Sequence, residues 1–101
     1  MESQLRRVAK TDKNQHEIMD ALRQAGAEVT SLHQVGGGVP DLLVSFRNKW
    51  HVLEVKDGSK PPSARALTDD QRKWMVKQKA SVWVVMSPSE ALDAIGAPQC
   101  R

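Results

Sequence analysis

Apolar and polar positions alternate through two runs near the middle of the chain, Val39-Pro40-Asp41-Leu42-Leu43-Val44-Ser45-Phe46 and Trp50-His51-Val52-Leu53-Glu54-Val55-Lys56, with Arg47-Asn48-Lys49 between them. β-Branched and apolar residues on both sides of a segment whose Asn48 tolerates positive φ predict an antiparallel hairpin. A two-residue turn at Asn48-Lys49 sets Arg47 opposite Trp50, Leu43 opposite Glu54 and Asp41 opposite Lys56. Alternation then puts Asp41, Glu54 and Lys56 on one face, at one end of the hairpin, with the two carboxylates as diagonal neighbours.

The flanking pattern is helical. Ile18, Leu22 and Ala25 recur at helical spacing, which predicts a helix capped by Thr11 or Asp12, running to Ala25 and stopped by Gly26. Gln15, three residues before Ile18, shares its buried stripe. A first strand is expected over residues 28–32, followed by a flexible loop with three consecutive glycines at 36–38. The Pro, Gly and Ser of residues 57–66 predict an exposed loop. Thr68-Asp69-Asp70-Gln71 has the form of a capping box, and Gln71, Trp74, Met75 and Gln78 make one stripe facing the sheet. Arg72, Lys73, Lys77 and in part Lys79 fall on the other side. Residues 81–86 read as a buried strand. Ser87-Pro88-Ser89-Glu90 then opens a last helix with a second capping box and proline at N1, ended by Gly96. The order α-β-β-β-α-β-α predicts an α/β domain with a single mixed β-sheet flanked by helices. With one Phe and no Tyr in the chain, Trp50, Trp74 and Trp83 are assigned to the core.

Composition narrows this only slightly. The 101 residues suffice for a single domain, preceded by an expected flexible arm at residues 1–10, and 40% hydrophobic with 27% charged residues is ordinary for a globular chain. The first residues lack the apolar stretch of a signal peptide and no apolar run approaches the roughly 20 residues of a membrane span, so a cytoplasmic protein is expected. A single cysteine, Cys100, excludes an intrachain disulfide, and His16, His33 and His51 lack the spacing of a zinc motif. A net charge of +3 and a pI near 9.3 are compatible with nucleic acid without demanding it. The glycines at 36–38 lack the Gly-Lys-Ser/Thr and following helix of a phosphate loop.

Two carboxylates and a lysine at the ends of apolar strands cost free energy unless they are paired, and groups in that position are often functional. Diagonal Cβ atoms on a hairpin lie roughly 7 Å apart. Carboxylates on such a base can hold one hard cation, at about 2.1 Å per oxygen. The alternative is a surface hairpin end closed by a salt bridge, worth little to stability.

Pro40-Asp41 followed by Glu54-Val55-Lys56 resembles the PD-(D/E)XK nuclease signature. The wider run is similar to the VRR-NUC family of virus-type replication and repair nucleases: Gly36-Gly37-Gly38-Val39-Pro40-Asp41, then Leu53-Glu54-Val55-Lys56-Asp57-Gly58, then Leu67-Thr68-Asp69-Asp70-Gln71. The resemblance covers residues 14–95. It implies a restriction-endonuclease-like core and a metal-dependent DNA endonuclease, whose short phage and bacterial members are homodimers preferring branched or four-way-junction DNA. Carried onto this chain, Asp41, Glu54 and the main-chain carbonyl of Val55 would bind Mg²⁺ or Mn²⁺, with Lys56 acting on the attacking water or the phosphate. Gln71 and Gln15 would orient groups around the site. Gln15 matches by position the polar residue that the first helix of such nucleases turns toward the metal, while Glu17 has the commoner chemistry but lies about 200° away on the helical wheel. Gly37, Gly38, Lys60, Arg65 and Arg72 are candidate DNA contacts. A DNA-binding module that keeps the fold without catalysis is the alternative.

Overall fold

In the computed structural model, which describes residues 13–98, both central residues of the hairpin turn have positive φ, 50° at Arg47 and 70° at Asn48. That is the backbone of a type I′ turn, whose twist matches the strands it joins. The turn is therefore Arg47-Asn48 rather than Asn48-Lys49, and the guanidinium of Arg47 lies 5.0 Å from the centre of the Phe46 ring. Strand β2 (Leu42–Phe46) pairs with β3 (Lys49–Val55) so that Phe46 meets Lys49 and Leu42 meets Leu53. This register differs from the expected one by two residues. A slip of two leaves every side chain on its face, so the alternation of the sequence fits both registers equally. One step beyond Leu42 and Leu53, the same ladder sets Asp41 directly opposite Glu54 rather than diagonal to it.

The remaining elements are α1 (Lys13–Gln24), β1 (Glu28–Ser31), a single turn α2 (Pro62–Arg65) within the loop after β3, α3 (Asp69–Lys77), β4 (Trp83–Val85) and α4 (Pro88–Ile95). The sheet order is β1-β2-β3-β4, antiparallel except for the parallel pair β3 and β4. It is the expected mixed sheet flanked by helices. The expected arm, the cap at Thr11 or Asp12, and Cys100 lie outside the described residues. No helix among those described is long and apolar enough to cross a membrane.

One sheet face, carrying Val29, Leu42, Val44, Phe46, Leu53 and Val85, packs against Ile18 and Leu22 of α1 and Ala91 and Ile95 of α4. Both helices end in the same way. Ala27 N–H donates to Leu22 O at 3.0 Å and Ala97 N–H to Leu92 O at 2.9 Å, with Gly26 and Gly96 at positive φ between. These are Schellman closures, and both alanines are buried. At the start of α4, Ser87 Oγ accepts from Glu90 N–H, but the Glu90 carboxylate reaches the Met86 N–H at 2.8 Å. The second capping box is thus only half formed.

None of the three tryptophans is buried. Trp50 is 72% exposed and Trp83 46%, with Trp74 half-buried. Alternation puts Trp50 opposite Ser45, on the face turned away from α1 and α4, and Trp83 belongs to the edge strand β4. The core consists of aliphatic residues and Phe46, with small residues such as Ala27, Ala91 and Ala97 among them.

Gly38 shows why one of the three loop glycines is needed. Its φ is +85°, and a Cβ there would run into the Asp70 carbonyl in the first turn of α3, whereas at Gly37 (φ +66°) the same atom would meet nothing within 4 Å. Gly38→Ala should therefore lose more than about 2 kcal/mol of stability through strain and displacement of α3, and Gly37→Ala about 1 kcal/mol from its dihedral alone. Urea unfolding compares them; equal losses would contradict the close approach.

Candidate active site

The end of the hairpin opposite its turn gathers four of the expected residues. Asp41 precedes β2, and its main-chain carbonyl accepts from Leu32 N–H at 2.8 Å, which holds it beside the end of β1. Its Oδ2 accepts from the Val55 N–H at 2.7 Å, so the carboxylate reaches across onto the last residue of β3. Glu54 is 2% exposed, and its Oε2 accepts from Gln71 Nε2 at 3.0 Å. Lys56 Nζ stands 3.7 Å from that oxygen and donates to Gln71 Oε1 at 2.9 Å.

Gln71 is the connecting piece. Its Oε1 also accepts from Thr68 N–H at 2.9 Å, while Gln71 N–H donates to Thr68 Oγ1 at 3.1 Å, completing the capping box of α3. One amide thus closes a helix N-terminus and bridges Glu54 to Lys56. The stripe with Trp74, Met75 and Gln78 is half-buried, where Trp74 was expected in the core, and Arg72, Lys73 and Lys77 face outward.

Charge is not balanced here. Burial, then the neighbouring charge of Asp41 and a hydrogen bond with it, push the Glu54 carboxyl up to about 7, and Lys56 only partly opposes them. Glu54 Oε1 is buried without a hydrogen-bond partner. A carboxylate in that condition needs a proton or a cation. Two carboxylates and adjacent main-chain oxygen are hard donors, so the residues fit Mg²⁺ or Mn²⁺. No group of three or more His, Cys, Asp or Glu side chains gathers among the described residues, so any such ion would complete its shell with main chain, water or substrate.

The other expected residues sit apart from this cluster. Gln15 is half-buried, but its side chain contacts Met19 Sδ at 4.0 Å and joins none of the four. Glu17 is exposed and lines a hollow of about 410 Å³ with Lys13, Asn14, Asp57, Ser59 and Met86. The link from α1 is instead Asn14, whose Nδ2 donates to Lys56 O at 2.9 Å and Met86 O at 3.3 Å, fastening the ends of β3 and β4 together. On the helical wheel Asn14 and Gln15 flank the stripe of Ile18, Leu22 and Ala25 at similar angles, so the spacing of the sequence does not separate them. Gly38 is committed to packing on Asp70, while Gly37 is open. Lys60 is exposed. Arg65 is half-buried against Met86 Sδ, its Nε buried and without a partner, and Arg72 pairs with Asp69 at 3.6 Å in solvent. His16 and His33 are exposed, and His51 has its pKa lowered by burial and then by Lys49.

Comparison of the chain with family models, with curated proteins and with solved structures finds no match. The functional reading rests on the residues themselves.

The buried carboxyl gives a test that needs no substrate. In chelator, Glu54 titrates near 7 when folded, against an ordinary value of 4.5. Across that window the folded protein holds a proton that the unfolded chain has released, so this group's contribution to stability falls as pH rises. Glu54→Gln should remove that fall and stabilise the metal-free protein above neutral pH by on the order of 3 kcal/mol. His51 titrates in both proteins and cancels in the difference. Urea midpoints over the acid-to-neutral range measure it; parallel pH profiles for parent and variant would contradict the assignment.

Proposed function

We propose that the protein is a divalent-metal-dependent DNA endonuclease that hydrolyses phosphodiester bonds, selective for branched or four-way-junction DNA. The observation that carries this reading is the pair of buried Glu54 and half-buried Asp41 at the end of the sheet, with Glu54 Oε1 lacking a partner and a lysine held beside it. The resemblance of Pro40-Asp41, Glu54-Val55-Lys56 and Leu67-Thr68-Asp69-Asp70-Gln71 to the VRR-NUC pattern supports it, and assigns the mixed sheet to the restriction-endonuclease-like arrangement.

Asp41, Glu54 and the carbonyl of Val55 would hold Mg²⁺ or Mn²⁺. Such an ion polarises a phosphate and lowers the pKa of a bound water. Asp41 is aimed by its bond to the Val55 amide, and its other oxygen would turn to the ion. Lys56, fixed by Gln71 Oε1, presents a compact ammonium where negative charge grows on the phosphate oxygens. Gln71 keeps Glu54 and Lys56 in register with each other, and Asn14 holds the main chain beneath them. Lys60, exposed, is available to flanking phosphates, and Arg72 would exchange its pair with Asp69 for one.

We place the protein in the cytoplasm, as a homodimer on junction DNA, where two-fold symmetry would present one site to each scissile strand. The exposed Trp83 and Val84 of edge strand β4 offer such a dimer an apolar surface. A binding module without catalysis accounts less well for the site, because DNA binding gains nothing from a carboxylate pair that repels phosphate.

Labelled linear, flap and four-way-junction DNA incubated with Mg²⁺, Mn²⁺ or EDTA tests the reading. Cleavage is expected with either metal, strongest on the junction, and none in EDTA. Glu54→Gln and Gln71→Glu should each slow it by at least about 100-fold while junction binding in EDTA persists. The second keeps the helix cap but places a third carboxylate against Glu54. A parent that binds DNA and cuts none, or a Glu54→Gln variant that cuts at the parental rate, would refute the proposal.

A further inference from the structure

Trp50 is 72% exposed, the largest side chain left in solvent on the sheet face that carries Glu54. It borders a hollow of about 360 Å³ with Arg47, Asn48, Lys49, Ser45 and Glu28. Its surroundings distinguish it from a protein-docking residue. An indole that anchors a protein interface sits at the centre of an apolar patch sealed from water. Here the rim holds two cations, an amide, a hydroxyl, one acid, Glu28, and Gly26; its one apolar side chain, Phe46, is buried, with Arg47 over its ring and Lys49 opposite it, so the cations reach the hollow from the other side of the hairpin end. An aromatic face beside cations and hydrogen-bonding groups is the arrangement that binds unpaired nucleobases, which stack on the ring while their phosphates meet the charges.

Its position relative to the site is fixed by one strand. Trp50, Val52 and Glu54 alternate onto the same face of β3, so the indole lies about 13 Å from Glu54 at the strand rise. That distance spans about four stacked nucleotides at 3.4 Å each. We infer that Trp50 is a stacking platform for an unpaired base about four nucleotides from the bond held at Glu54, with Lys49 and Arg47 supplying positive charge at the same end of the hairpin. The inference rests on the proposed nuclease reading for its distance to a bond, and supplies what that site lacks: a means of telling DNA with unpaired bases from continuous duplex.

The test is binding in EDTA, where cleavage plays no part. A short labelled single strand of mixed sequence and the corresponding blunt duplex are titrated with the parent, Trp50→Ala and Trp50→Phe, with thermal melting to establish that both variants are folded. Trp50→Ala should weaken single-strand binding about tenfold and Trp50→Phe no more than about twofold. Duplex affinity should change by less than about twofold in both. Unchanged single-strand affinity in Trp50→Ala, or equal loss for single strand and duplex, overturns the inference. So does sedimentation showing that Trp50→Ala converts a dimeric parent to monomer, since the indole would then belong to a protein contact. A parent that cuts junctions while Trp50→Ala binds single strands normally leaves the nuclease reading standing and removes only the platform; a parent that binds neither DNA removes both.

Discussion

A carboxylate buried beside another carboxylate is the constraint around which this small domain is arranged. Glu54 is almost inaccessible, its charge is disfavoured by burial and by Asp41, and one of its oxygens lacks a partner. Packing alone does not call for this, since the face of β3 that supports the core is served by Leu53. An apolar residue at position 54 would relieve the repulsion, in keeping with the small or negative contribution that buried charges commonly make to stability. What the arrangement provides is a pair of oxygen donors with a deficit of positive charge, set at the open end of a rigid sheet.

The elements around that pair are tied to it by few but specific contacts. Helix α3 buries no residue fully, yet its first turn is held twice, by Gln71 reaching Glu54 and Lys56 and by Gly38 passing close against Asp70. Because the same amide oxygen serves the Thr68 cap and the Lys56 ammonium, order at the helix start and order at the site depend on each other. Asn14 does the corresponding work from the other layer, joining the carbonyls of Lys56 and Met86. The lysine is therefore located by contacts to its main chain and to its side chain at once.

Much of this was legible in the sequence because strand alternation has a period of two. Any even slip of the hairpin keeps Asp41, Glu54 and Lys56 on one face, so the convergence of the charges could be read although the turn was placed one residue late. The register itself could not, because Arg47 accepts a positive φ that its residue type does not advertise. The capping box of α3 was readable from Thr68 and Gln71, whereas at α4 the Glu90 side chain found the Met86 amide first. Assigning the tryptophans to the core failed for a physical reason: size favours burial only where a residue faces the packed layer, and Trp50 alternates onto the other face of the sheet while Trp83 lies on the edge strand β4. Gln15 and Asn14 differ by one position on one turn of helix, and only the packing of α1 decides which of them meets the strand ends.

The central claim is that Asp41 and Glu54 together bind one divalent cation, and diffraction at the manganese absorption edge from crystals grown with Mn²⁺ tests it most directly. The account predicts an anomalous peak between the two carboxylates, with an oxygen of each and the Val55 carbonyl at about 2.1 Å. Density that leaves Glu54 without a ligand, with manganese bound elsewhere or nowhere, would contradict it.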